Sequence, residues 1–96
     1  MLIDGRTVAQ GQIFRTEVCI VGAGPAGLAL ARDFIGRGID VLLVESGGFE
    51  ADAATQALAS ADVEDGPDQY PDPIWSSHRQ LGGTAAGWVV TRNGEL

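Results

Sequence analysis

Apolar positions in the first half of the chain fall into three blocks of different period. Residues 17–21, Glu-Val-Cys-Ile-Val, are rich in β-branched side chains and stop at Gly22, which predicts a strand. Residues 25–37 switch to helical spacing: Leu28, Ala31, Phe34 and Ile35 share a face, while Arg32, Asp33 and Arg37 face water. Pro25 suits the first helical position, where its missing N–H costs nothing, and Gly36 and Gly38 supply the stop. Residues 41–44, Val-Leu-Leu-Val, are apolar without alternation, as in a parallel strand covered on both faces. Strand, helix and strand in this order predict an α/β unit of the βαβ type.

The flanking segments carry weaker patterns. Residues 1–14 are mixed, with Gly5 and Gly11, and read as a loose arm or a short edge hairpin. Residues 51–61 suit a short alanine-rich helix, and residues 62–75, interrupted by three prolines, suit a loop. Residues 80–88, Gln-Leu-Gly-Gly-Thr-Ala-Ala-Gly-Trp, offer a second glycine-rich turn, and residues 87–96 end in a candidate short strand. The chain has no internal repeat.

Composition narrows the classes of function. Ninety-six residues accommodate one small domain, and a 45% hydrophobic content is enough for a packed core. Thirteen acids against six bases, all of them arginine, give a net charge of −7. With no basic patch, no nucleic-acid partner is expected, and the acidic balance reads as solubility. The longest uncharged run, residues 18–31, is interrupted by Gly22, Gly24, Pro25 and Gly27, so no membrane span is expected. Asp4 and Arg6 close behind Met1 do not fit a signal peptide, and a cytoplasmic location is the expectation.

Several conspicuous residues have plain readings. Cys19 has no second cysteine to pair with and, lying within a strand, is expected to be a buried thiol. His78 reads as a structural or solvent-facing loop histidine, and Trp75 and Trp88 as packing residues. Glu64, Asp65 and Asp68 lack the ligand pattern of a calcium loop and read as a solvated acidic turn. No metal site and no catalytic residue are assigned.

Chemistry concentrates where the first strand meets the helix. Residues 22–27, Gly-Ala-Gly-Pro-Ala-Gly, have the spacing of a dinucleotide-binding turn. Gly22 permits the tight turn, and Gly24 lets the backbone approach a pyrophosphate. Gly27 and Ala31 are small enough for the helix to lie close on the sheet. Pro25 and Ala26 fill the first helical turn, whose free N–H groups favour anions. Glu45, eighteen residues past Gly27, ends the second strand, where a carboxylate accepts hydrogen bonds from ribose hydroxyls. It also repels a 2′-phosphate, which argues against NADP. FAD and NAD both carry ADP, so this pattern does not separate them. The fold expectation is a Rossmann-like βαβ dinucleotide-binding unit with an incomplete parallel sheet.

The run "EVCIVGAGPAGLALARDFIGRGIDVLLVESGG", followed by "RQLGGTAAGW", resembles the N-terminal flavin-binding part of the glucose–methanol–choline oxidoreductases. The likeness covers about residues 16–88. Its first half is common to many flavoproteins, whereas Glu-Ser-Gly-Gly at 45–48 with Arg-Gln-Leu-Gly-Gly-Thr at 79–84 is more particular. The resemblance implies cofactor contacts at Gly22, Gly24, Pro25, Ala26, Gly27, Glu45 and Ser46. It also places Gly82, Gly83 and Thr84 beside the pyrophosphate or flavin. Two glycines permit close backbone approach there, and Thr84 adds a hydroxyl and an N–H. Arg79 reads equally as a phosphate ligand or as a surface charge.

The chain also departs from that family. Ala85 stands where relatives often have serine. Gly87 occupies the position from which some members tether flavin through histidine, so a non-covalent FAD is implied. The substrate domain and the catalytic histidine of the family have no counterpart. Residues 1–96 therefore read as the N-terminal part of an FAD-binding domain, with an alcohol or sugar substrate met only in an intact enzyme. The chain alone is expected to be marginally stable and without turnover: it reads as a fragment of a longer flavoprotein, a truncated gene product, or a unit whose sheet another chain completes. Two alternatives stand beside this reading: a fragment of an NAD-linked dehydrogenase, or a non-catalytic nucleotide- or partner-binding remnant. The 82–84 turn speaks against the first, and measured turnover would exclude the second.

Overall fold

The computed structural model describes residues 1–61 and 72–87. Its centre is the expected βαβ unit: strand β1 (Val18–Val21), helix α1 (Pro25–Asp33) and strand β2 (Val41–Val44). The strands pair in parallel, with Val18 opposite Val41 and Val21 opposite Val44, and are the two strands of the sheet among the described residues. The start of the pair is fixed by Asp40, whose carbonyl accepts from the Val18 amide at 3.1 Å and the Thr16 hydroxyl at 2.6 Å. The Asp40 amide in turn donates to the Glu17 carboxylate at 2.9 Å, so Glu17 braces the strand from outside it.

α1 is shorter than its apolar pattern predicts. Beyond Asp33 the chain tightens into i to i−3 bonds, from Phe34 to Ala31, Ile35 to Arg32 and Arg37 to Phe34. Gly36 and Gly38 then adopt φ of +77° and +70°, which side-chain-bearing residues disfavour. The glycine stop thus acts a turn earlier than the glycines themselves. Ile35, expected on the buried face, is 79% exposed as a result.

The alternation of a strand decides what is covered. Ile20 points toward α1 and is buried together with Ala23. Cys19 and Val21 point to the other face, which no helix covers among the described residues, and both are exposed. The expectation of a buried Cys19 thiol is therefore wrong. β2 also lacks the two-sided cover expected for it, with Val41, Leu42 and Leu43 half-buried and Val44 exposed.

The flanks are held by caps and side chains. Residues 1–14 contain no strand, and the hairpin alternative is replaced by a 3-10 turn at Gly5–Thr7 capped by the Asp4 carboxylate. Helix α2 (Ala53–Ala57) is a core of the expected 51–61 helix, with Asp52 accepting from the Thr55 amide and hydroxyl at its start. Pro73–Trp75 and Gly83–Gly87 form further 3-10 turns. Trp75 is exposed at the end of its 3-10 turn rather than packed as expected. The acidic turn at Glu64, Asp65 and Asp68, the candidate strand within 87–96 and Trp88 lie outside the described residues.

Candidate nucleotide site

Three turns meet at the carboxyl ends of the two strands. The first follows β1. Gly22 takes φ of +99°, and its amide donates to the Val44 carbonyl at 2.8 Å, carrying the pairing with β2 one residue past the end of β1. Gly24 then caps α1 with extended backbone, no side chain capping the helix. A Cβ on Gly24 would meet nothing within 4 Å, so the side on which its side chain would stand is open, and no side chain caps the first amides of α1. Pro25 and Ala26 lie exposed on that first turn. Gly27 has the opposite surroundings: a Cβ there would overlap the Gly22 carbonyl oxygen and lie 3.4 Å from Ile20 Cγ2. Gly24 thus leaves room for a ligand, and Gly27 leaves room for the sheet.

The second turn follows β2 and is organised by Glu45. Its Oε2 accepts the Ala23 amide at 2.7 Å. Its Oε1 accepts the Gly47 amide at 3.0 Å and the Ser46 hydroxyl at 3.2 Å. Partial burial works to raise the Glu45 carboxyl, but the donors from Ala23, Gly47 and Ser46 hold it below the ordinary glutamate value of 4.5. The residue expected to read ribose is charged and already joins the first turn to the second.

The third turn, at 80–83, is seated on the other two. The Leu81 amide donates to the Gly48 carbonyl at 2.9 Å and the Gly82 amide to the Ala23 carbonyl at 2.8 Å. Gly82 and Gly83 take φ of +91° and +59°, and a Cβ on Gly83 would stand 3.0 Å from Gly24 Cα. Gly47 lies so close beneath Arg79 and Gln80 that a Cβ there would collide with their backbone. The structure therefore seats Gly82 on Ala23 and Gly83 on Gly24.

Thr84 and Arg79 are engaged within the chain. The Thr84 hydroxyl accepts the His78 amide at 3.3 Å and keeps its own proton to donate. Nη1 of Arg79 reaches the Leu58 carbonyl at the end of α2 at 3.4 Å, and its Nε is buried without a partner. His78 is exposed, and its ring stands where a side chain at position 87 would begin.

Two contributors escape sequence reading. Ala23 supplies both an amide to Glu45 and a carbonyl to Gly82, roles that leave no trace in a side chain. Gln56 holds the segment leading to the third turn: its Nε2 donates to the Ile74 and Ser77 carbonyls and its Oε1 accepts the Arg79 amide.

Comparison with known proteins bears on the βαβ unit and α2 and does not reach the third turn. The family described as an FAD binding domain has a model that matches residues 15–59, from the entry into β1 to the end of α2. Comparisons with curated proteins and with solved structures found no match. FAD is accordingly the nucleotide indicated for the βαβ unit, and the open Gly24 turn beside a charged Glu45 fits the adenosine diphosphate half of that molecule. Among the described residues no helix is long and apolar enough to cross a membrane.

Proposed function

We propose that this chain is the FAD-binding segment of an oxidoreductase of the glucose–methanol–choline type, acting on CH–OH groups of an alcohol or sugar. The observation that supports this most is the seating of Gly82 and Gly83 against Ala23 and Gly24. A domain that reads ADP alone has no need of a second glycine turn beside the pyrophosphate position. A flavin nucleotide, which extends past the diphosphate, does. FAD supplies two-electron redox chemistry when bound, and the protein supplies position and electrostatics.

In this reading the residues divide the work by their surroundings. Gly22, Gly24, Pro25 and Ala26 present the helix N-terminus to the diphosphate. Gly27 holds α1 against the sheet. Glu45 accepts a ribose hydroxyl at the end of β2, with Ser46 beside it. Gly82, Gly83 and Thr84 line the approach toward the flavin, without a covalent link. Arg79 leads into the third turn. Its bond to Leu58 suits a brace of α2 better than a phosphate ligand. The chain is proposed to be cytoplasmic, to bind neither nucleic acid nor membrane, to have a second chain complete its sheet, and to lack turnover alone.

Calorimetric titration of the purified chain with FAD, ADP and NAD tests the reading. Saturable binding of FAD, tighter than ADP and weakened by Gly24→Val, supports it. Equal affinity for FAD and ADP removes the 82–84 turn from the site, and absence of binding to all three sinks the proposal.

A further inference from the structure

The bonds at Glu45 are unevenly distributed. A carboxylate offers about four acceptor positions, roughly two on each oxygen. Oε1 has both of its positions taken, by the Gly47 amide at 3.0 Å and the Ser46 hydroxyl at 3.2 Å. Oε2 has one taken, by the Ala23 amide at 2.7 Å. One incoming hydroxyl can therefore be accepted at Oε2 without disturbing the protein. A second one must displace a donor already present. The two amides are fixed by backbone that also carries the third turn, through the Ala23 carbonyl and the Gly48 carbonyl. The Ser46 hydroxyl is the only one of the three donors on a rotatable, exposed side chain.

We propose that Ser46 is an internal competitor for the nucleotide: its hydroxyl occupies on Glu45 Oε1 the place that a vicinal pair of ribose hydroxyls needs for two-point recognition. This rests on the FAD reading above and alters one part of it. Ser46 then acts against ribose binding rather than as a direct cofactor contact. It sets affinity through Glu45 and discriminates ligands by whether they bring one hydroxyl or two. Removing the hydroxyl leaves Oε1 with a free position while both backbone donors stay in place.

The test is calorimetric titration of the full chain and its Ser46→Ala variant with two probes, ADP and 2′,3′-dideoxy-ADP, and of the parent with FAD. Ser46→Ala is expected to bind ADP roughly threefold to tenfold tighter than the parent, the scale of one solvent-exposed hydrogen bond, and the dideoxy analogue equally well. Unchanged or weaker ADP binding by Ser46→Ala overturns the inference, and weaker binding makes Ser46 a direct ligand. An equal gain for both probes also overturns it, since the effect then does not pass through the ribose hydroxyls. If the parent binds neither ADP nor FAD, the nucleotide reading fails and this inference fails with it.

Discussion

The Gly82 amide donates to the Ala23 carbonyl at 2.8 Å, joining backbone that lies 59 positions apart in the chain. Ala23 is fully buried, and its own amide is held by Glu45, so this one residue anchors the third turn and the end of β2 together. The proposed nucleotide site is a junction of turns before it is a set of ligands. Substitutions around it are therefore expected to separate into those that loosen the junction and those that alter recognition.

Gly27→Ala tests the packing side. Its Cβ would overlap the Gly22 carbonyl oxygen, so α1 must lift from the sheet. The variant is expected to lose about 1–3 kcal/mol of stability, the range for overpacking a close contact, together with FAD affinity. Urea unfolding followed by circular dichroism reads the first, and titration reads the second.

Gly47→Ala tests the seating of the third turn. With a Cβ under Arg79 and Gln80, the 80–83 segment is expected to detach while β1, α1 and β2 remain. Hydrogen exchange should show faster exchange of the Leu81 and Gly82 amides and unchanged protection of Ile20. FAD affinity should fall further than ADP affinity. Equal protection of Leu81 and Gly82 in parent and variant would contradict this account.

Glu45→Gln tests the charge. A carboxyl whose folded pKa is depressed stabilises the fold above its unfolded value, and that contribution is lost as pH falls through the folded value. The Glu45 carboxyl lies below 4.5 despite partial burial, because of the Ala23, Gly47 and Ser46 donors. The parent is thus expected to be more stable than Glu45→Gln at pH 7, with the gap shrinking as pH falls below about 4.5. Thermal unfolding across pH 3–7 measures it, and a gap independent of pH would argue against the assignment.

Gln56→Ala tests the support of the third turn from α2. One side-chain amide holds the Ile74 and Ser77 carbonyls and the Arg79 amide at 3.1, 2.6 and 3.0 Å. Its loss is expected to cost about 1–3 kcal/mol, read as a lower urea midpoint, because partly buried backbone groups are left without partners. FAD affinity should fall through the 80–83 turn, with Glu45 untouched.

The sequence made the βαβ unit legible because apolar period, the proline at the first helical position and the glycine spacing all agree there. β2 appears over the expected residues, and Gly24 and Gly27 have the open and the closed surroundings that their roles require. Legibility fails where the outcome depends on what lies across a face. Cys19 looks like a core residue by composition of its strand, yet alternation turns it away from α1 to the uncovered side. Ile35 continues the helical pattern, but the backbone has already left the helix. The partners of Glu45 were equally hidden, since an amide at Ala23 or Gly47 has no residue type to announce it.

The contacts that seat the third turn on the other two run between main-chain groups of Ala23, Gly48, Leu81 and Gly82. A joint of this kind has no side-chain vocabulary. Leu81 and Gly48 contribute only main-chain groups to it, so their residue types are free to vary, while Gly82 is held to glycine by its φ of +91° and Ala23 to a small residue by its burial; alanine scanning at Leu81 would pass over the joint without a signal. Redesign of recognition can therefore start at the exposed Ser46, whose hydroxyl is not part of that main-chain joint, whereas Glu45 also holds the Ala23 and Gly47 amides and cannot be changed without touching the turns.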